Sequence, residues 1–383
     1  MARVKLIQDK QDIAAEHHGV FDELAALRGR VSGPSTVMLY SPSLARPWNQ
    51  ISEYLHGRSV VEPENAELAV CATARECACG YIWAAHLPLA LKAGVPEASI
   101  DAVRHRRALD GLPAQEALVV RYVRQLLQGN RVENEVFEPL LKSHGARWLL
   151  DLTVWIGRYA ALAGIINSFE VSPAPDADVL PVTTGSPAAS PPASVRAPLP
   201  EPRIVPITSR EQMGEADRGV FDAVAEGRGN VRGPFSLLMY SPPLCQAILD
   251  VSNYLRFESD LSPRLRELAT IATAREKDCP YVWAAHAPAA RREGIADASI
   301  FAVRDRSELA ALAVDERDIV HYARQLLRTH RVSQALFDRL RDAHGVRWLV
   351  ELTALIGHYG VVTAVLNAME VSPAPGSEAL PLV

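Results

Sequence analysis

Residues 79–86 read "CGYIWAAH", and residues 279–286 read "CPYVWAAH". The interval is 200 residues, and around it the agreement widens: from 71 to 86 against 271 to 286, 11 of 16 positions are identical. "GVFDELAALRGRVSGP" (19–34) returns as "GVFDAVAEGRGNVRGP" (219–234), and "HGARWLLDLT" (144–153) as "HGVRWLVELT" (344–353). The offset holds without a gap from Gly19 to the final "EVSPAP". A period this long is not that of a solenoid; each copy is large enough to bury a core of its own. The chain therefore reads as a tandem duplication.

Between the copies lies "SPAPDADVLPVTTGSPAASPPASVRAPLPEP" (172–202), with nine prolines and few large apolar residues. Such a segment buries too little surface to offset its ordering entropy and is expected to be an extended, exposed spacer. The expected organisation is a first domain at 1–171, a linker at 172–206 and a second domain at 207–383. Within each copy the apolar residues recur at three-and-four spacing, as in "ELAVCATAREC", "EALVVRYVRQLLQ" and the long "ARWLLDLTVWIGRYAALAGIINSF". Gly94 and Gly294 fall where a helix would stop. Alternating strand patterns are missing, so each copy is expected to be all-α, with seven or eight helices.

The 383 residues carry a net charge of −5 and a pI near 6.1, which gives no basic footprint for nucleic acid. Five cysteines, an odd number, do not form a disulfide framework. No stretch of ~20 consecutive apolar residues suggests a membrane span, and the N-terminus turns polar too early for a signal peptide. The expectation is a cytoplasmic protein with no membrane or nucleic-acid partner. No metal-ligand spacing, glycine-rich phosphate loop or nucleophile elbow occurs, so neither metal nor organic cofactor is expected.

In the second copy Pro280 suits a first helical position, with Asp278 or Cys279 as cap and Pro288 as a possible kink. At 100° per residue Cys79, Trp83 and His86 share one narrow stripe, while Tyr81 points elsewhere. A cysteine at a helix N-terminus is favoured as thiolate, and a histidine two turns on can exchange protons. The same stripe also fits a packed core.

These residues resemble the carboxymuconolactone decarboxylase family, which includes the alkylhydroperoxidase D type. Its peroxidase branch has a glutamate twelve residues before a C-x-x-C and a histidine four residues after the second cysteine. Glu67 and Glu267 stand twelve before Cys79 and Cys279, and His86 and His286 stand at the histidine position. "GPSTVMLYSP" and "GPFSLLMYSP" also resemble the family's N-terminal helix entry. The resemblance implies two alkylhydroperoxidase D-like helical domains related by a pseudo-two-fold, and association into a homo-oligomer, a dimer or trimer of tandem chains.

The second cysteine of the C-x-x-C is Ile82 in one copy and Val282 in the other. A dithiol peroxidase needs a resolving thiol, and Cys77 with Cys79 would point about 200° apart on a helix. The resemblance thus favours the cofactor-independent branch: proton transfer on a small carbonyl or carboxylate compound, in a decarboxylase, lyase or isomerase. Thiol peroxidase chemistry at Cys79 or Cys279 and a non-catalytic ligand-binding scaffold are the alternatives. The expected catalytic set is His86, His286, Glu67, Glu267, Cys79 and Cys279. Tyr81, Tyr281, Trp83, Trp283, Tyr40 and Tyr240 would line the pocket, and Arg75, Arg275, Arg104 and Arg304 would hold a substrate carboxylate. Arg124/Arg324 and Arg147/Arg347 read instead as structural salt bridges. Differences such as Glu53 against Asn253 leave room for one active copy and one degenerate one.

Overall fold

The structure, a computed structural model, describes residues 2–26, 29–181, 201–310 and 312–381. Among these there is no strand. The first copy folds as α1 (His18–Ala26), α2 (Ser35–Met38), α3 (Pro42–Arg58), α4 (Pro63–Glu76), α5 (Gly80–Lys92), α6 (Glu97–Arg104), α7 (Ala114–Gly129) and α8 (Asn134–Ser168). The second repeats the order as α9 (Arg218–Arg228), α10 (Pro234–Leu238), α11 (Pro242–Phe257), α12 (Pro263–Glu276), α13 (Pro280–Arg292), α14 (Asp297–Arg304), α15 (Val314–Thr329), α16 (Gln334–His344) and α17 (Val346–Ala368). The extra helix reflects one backbone event. Gly145 (φ 83°) bends α8, and its counterpart Gly345 (φ 87°) separates α16 from α17. Both need the left-handed region that a residue without Cβ enters freely.

Proline opens several helices, at Pro42, Pro63, Pro242, Pro263 and Pro280, where the missing N–H would have no intrahelical partner anyway. α5 and α13 continue through Pro88 and Pro288, so neither helix ends there. α4 is the hub of the first copy. It is buried without interruption from Asn65 to Glu76 and packs against α5, α7 and α8.

The two copies form one body. α8 and α17 pack along each other, and so do α3 and α11. Both α8 and α17 are long and apolar enough to cross a membrane, yet 94% and 83% of their most apolar windows are buried in the protein. Their crossing relies on Gly157 and Gly357. A Cβ on Gly157 would lie 3.1 Å from the Val361 Cα, and one on Gly357 would lie 2.8 Å from the Ala161 Cβ. Two carboxylates with no solvent exposure, Asp151 on α8 and Glu351 on α17, tie the halves reciprocally. Asp151 accepts from Tyr54 Oη (3.1 Å) and Val60 N (3.2 Å) of its own copy and from Ser241 Oγ (2.6 Å) of the other. Glu351 accepts from Tyr254 Oη (2.7 Å), Asp260 N (2.7 Å) and, across the interface, Ser41 Oγ (2.8 Å). Each copy's N-terminal arm also reaches over: Arg3 Nη1 donates to Val332 O (2.9 Å) and Arg203 Nη1 to Val132 O (2.7 Å).

The linker is expected over 172–206 as an extended, exposed spacer. Its central residues 182–200 lie outside the described residues, but both flanks are docked. Leu180 and Ile204 are buried, Arg75 Nη1 donates to Pro181 O (2.8 Å), and Arg203 N donates to Met369 O (3.0 Å). Buried arginines and apolar anchors hold polar, proline-rich chain that could not order by itself.

Gly357→Val tests the helix crossing. Overpacking at a site with backbone-level contact costs about 1–3 kcal/mol, so the urea midpoint followed by helical circular dichroism should fall. An unchanged midpoint would mean that α8 and α17 separate easily.

Candidate active site

In each copy a carboxylate from one helix meets an imidazole from the next. Glu67 Oε2 on α4 lies 2.8 Å from His86 Nδ1 on α5, and Glu267 Oε2 on α12 lies 2.7 Å from His286 Nδ1 on α13. The hairpin between the two helices sets this pairing. Ala78 (φ 48°) and Asp278 (φ 44°) turn the chain sharply, and Cys79 and Cys279 then start the next helix as its N-cap residue. Nineteen residues therefore separate partners on adjacent antiparallel helices.

A third group in each site was not singled out from sequence. Tyr159 on α8 and Tyr359 on α17 stand edge-on to the histidine rings, at 4.8 and 5.1 Å between centroids. Both come from the helix pair that joins the copies. They are also identical at the 200-residue offset, a signal that the apolar run around them obscured.

The two sites then diverge. In the second, Tyr359 Oη lies 3.2 Å from His286 Nε2. Burial and the charge of Glu267 push the Tyr359 phenol up to about 12, so it stays protonated. Burial works against ionising Glu267. The hydrogen bond and charge of His286, with Arg266 and Arg256 beside it, outweigh that and hold the carboxyl below its ordinary value. An ionised carboxylate only accepts, so Nδ1 carries a proton; when the ring is neutral, Nε2 accepts from Tyr359. Arg266 Nε lies 3.8 Å from Glu267 Oε1. In the first copy Tyr159 Oη pairs instead with His56 Nε2 at 2.9 Å. Trp155 stacks on Tyr159 and meets His56 edge-on, closing the aromatic wall. The corresponding second-copy positions are Arg256 and Leu355. The side chain of His86 is accordingly 9% exposed, and that of His286 is 24%.

The remaining expected site residues are occupied elsewhere. Cys79 and Cys279 have no exposure, and Cys79 precedes His86 by seven residues, about 10 Å along the helix axis. Burial pushes both thiols up to about 12, against the opposing pull of the backbone amides of residues 81–82 and 281–282. The expected thiolate at the helix start is therefore corrected to a neutral buried thiol. Desolvation exceeds what the helix N-terminus returns. Trp83 Nε1 donates to Asp178 Oδ1 (3.0 Å), and Arg104 lies over the Trp83 ring while pairing with Asp178 (3.0 Å). Trp283 is buried, and among the described residues its Nε1 has no partner; Glu378, at the position of Asp178, pairs with Arg291. Arg75 and Arg275 donate to Pro181 O (2.8 Å) and Pro381 O (2.6 Å), and Arg304 pairs with Asp305 (2.8 Å). Tyr40 and Tyr240 donate to Lys5 O (2.7 Å) and Val205 O (2.9 Å). Tyr81 and Tyr281 pack against Gly33 and Gly233, leaving no room there for a Cβ. Three of the arginines expected to hold a substrate carboxylate, Arg75, Arg104 and Arg275, thus hold the chain's own tail segments, the fourth, Arg304, pairs with its neighbour Asp305, and these tyrosines and tryptophans brace loops.

Residues 42–124 and 242–325 each match the sequence model of the Carboxymuconolactone decarboxylase family, so the chain carries a match to that family's domain twice, as a tandem duplication would. Among curated proteins, none matches the chain.

Two outcomes follow from this burial. Ellman's reagent should titrate fewer than one thiol per native chain and all five after denaturation, since every cysteine is buried. Rapid native labelling of Cys279 would contradict the assignment. The second concerns His358, buried beside Tyr359, whose imidazole is pushed from 6.5 down to about 3 by burial and by the charge of Arg228. Between those values the unfolded chain holds a proton that the folded chain lacks. Stability is therefore full above pH 6.5 and declines as pH falls toward 3, by up to ~1.4 kcal/mol per pH unit from this group. His358→Gln should flatten that slope in unfolding experiments at pH 7 and pH 5.

Proposed function

We propose that the second copy is the working site of a cofactor-independent enzyme that moves protons on a small carbonyl or carboxylate compound, as a decarboxylase, lyase or isomerase. The observation that carries this reading is the Glu267–His286–Tyr359 chain. The imidazole is held at Nδ1 by a carboxylate and reached at Nε2 by a phenol, at the more exposed of the two histidines. Glu267 fixes the ring and stabilises the imidazolium when Nε2 gains a proton. Once Nε2 is protonated it no longer accepts from Tyr359, and the phenol O–H is then free to donate to the oxygen on which negative charge develops, the role of an oxyanion-hole donor. For a decarboxylation, the C–C bond to the carboxylate breaks and its electron pair passes into the adjacent carbonyl as an enolate. CO₂ departs as that bond breaks, and the Nε2–H of the imidazolium, protonated from solvent beforehand, then gives its proton to the carbon and leaves a neutral ring. For an isomerisation, Nε2 takes the proton from one carbon and delivers it to another. The positive charge of Arg256 and Arg266 at this site favours an anionic substrate.

Thiol peroxidase chemistry is disfavoured by the buried, neutral Cys79 and Cys279 and by the missing second cysteine. The enclosed first copy, with Tyr159 bonded to His56, favours a structural role for that half.

Proton transfer can be read without the natural substrate, as deuterium incorporation at the α-carbon of small ketones, keto acids and lactones by NMR. His286→Gln should lower the rate about 10²–10⁴-fold and Tyr359→Phe by a smaller factor, both with native helical signal. His86→Gln should leave more than half the rate. Equal losses from His86→Gln and His286→Gln would show two working sites, and no loss from His286→Gln would remove the mechanism.

A further inference from the structure

A cavity lies between α7, α8, α15 and α17, where the two copies meet. Its volume is about 50 Å³, and it opens to solvent. Leu126, Leu326 and Ile356 form its apolar walls, and Gly360, with no atom within 4 Å of where a Cβ would stand, leaves room in it. Lys277, His330, Asn130 and Asn367 supply its polar end. None of these residues belongs to the Glu–His–Tyr sites.

Lys277 is the unusual member. Its neighbours in sequence are carboxylates, but arginines already take both. Glu276 is held by Arg328 (Oε1 at 2.7 Å from Nη2), and Asp278 by Arg275 (3.1 Å) and Arg306 (3.0 Å). Among the described residues no carboxylate pairs with the Lys277 ammonium. The two amides are engaged as well: Asn367 Nδ2 donates to Lys277 O (2.7 Å) and Asn130 Nδ2 to Glu276 O (3.2 Å). Burial, with Lys277 and Arg106 nearby, pushes the His330 imidazole down to about 4, so it is neutral and brings no competing charge at neutral pH. Burial likewise lowers Lys277 below its ordinary value, as befits an ammonium lacking a counter-ion. The duplication does not account for this lysine, because its first-copy counterpart is the buried Cys77, and Asn130 is the counterpart of His330. The charge is therefore present once per chain.

We propose that this inter-copy cavity binds one small organic monocarboxylate per chain, its carboxylate on Lys277 and its short apolar body between α8 and α17. An apolar chamber with one convergent cation is complementary to such a molecule. The ligand supplies the counter-charge that the fold omits. The proposal is independent of the function assigned to His286.

Calorimetric titration with hexanoate, and with hexan-1-ol as its uncharged counterpart, tests it. The wild-type chain should bind one hexanoate. Lys277→Met should weaken hexanoate about tenfold or more and leave hexanol unchanged, because only the carboxylate needs the cation. Gly360→Leu should abolish binding of both. A Cβ at Gly360 meets no atom within 4 Å, so the new side chain fills the cavity rather than breaking the helix pair. His286→Gln should leave hexanoate binding intact. The proposal is overturned if millimolar hexanoate gives no saturable binding. It is equally overturned if neither Lys277→Met nor Gly360→Leu alters binding, or if His286→Gln abolishes it.

Discussion

The close passage of α8 against α17 is the constraint on which the rest of the molecule depends. Helices approach this nearly only where side chains are absent, and Gly157 and Gly357 provide that absence at equivalent points. The approach places Asp151 and Glu351 out of water, where each is satisfied by hydroxyls and an amide drawn from both halves. It also fixes the active-site phenols. Tyr159 and Tyr359 lie two residues beyond the crossing glycines, so each phenol stands on a helix that the crossing holds. A separated half would lose that support for its third site residue.

On this shared frame the copies have diverged at the rims rather than at the centre. The Glu–His pair has nearly identical geometry in both. What changes is the next layer. His56 and Trp155 close the first site, while Arg256, Arg266 and Leu355 leave the second more open and more positively charged. The same asymmetry appears on the pseudo-two-fold axis, where Cys77 and Asn130 face Lys277 and His330. Duplication supplied two frames, and a few substitutions of volume and charge made two environments from them.

The fold and the Glu–His pairing were legible because both are local. Helical periodicity spans a dozen residues, and a glutamate nineteen before a histidine needs only one tight turn to meet it. The failures all involve distant partners. Tyr159 and Tyr359 sit in apolar helices that read as core, and it is the packing of α8 on α4 and α5, and of α17 on α12, that brings them to the histidines. The thiolate expected at Cys79 followed from its place at a helix start, which the structure confirms, but the sequence could not weigh that place against complete burial. Arg75 and Arg104 looked free to hold a substrate because residues 172–181 read as unstructured spacer. Once that segment docks, its carbonyl and carboxylate oxygens are the groups these arginines meet.

The persistence of Glu67 and His86 in a closed site bears on how repeated residues should be read. Removing either partner from a buried pair leaves the other with an unmet hydrogen bond or an uncompensated charge, at a cost of several kcal/mol. Such a pair is held in place by its own desolvation, whether or not any substrate reaches it. Identity of Glu and His across the two copies therefore counts frames, not working sites. The feature that distinguishes a working site is what the second imidazole nitrogen meets. In the first copy the phenol that would serve it is bonded to His56, beneath Trp155. In the second it remains on His286, with arginine charge at hand.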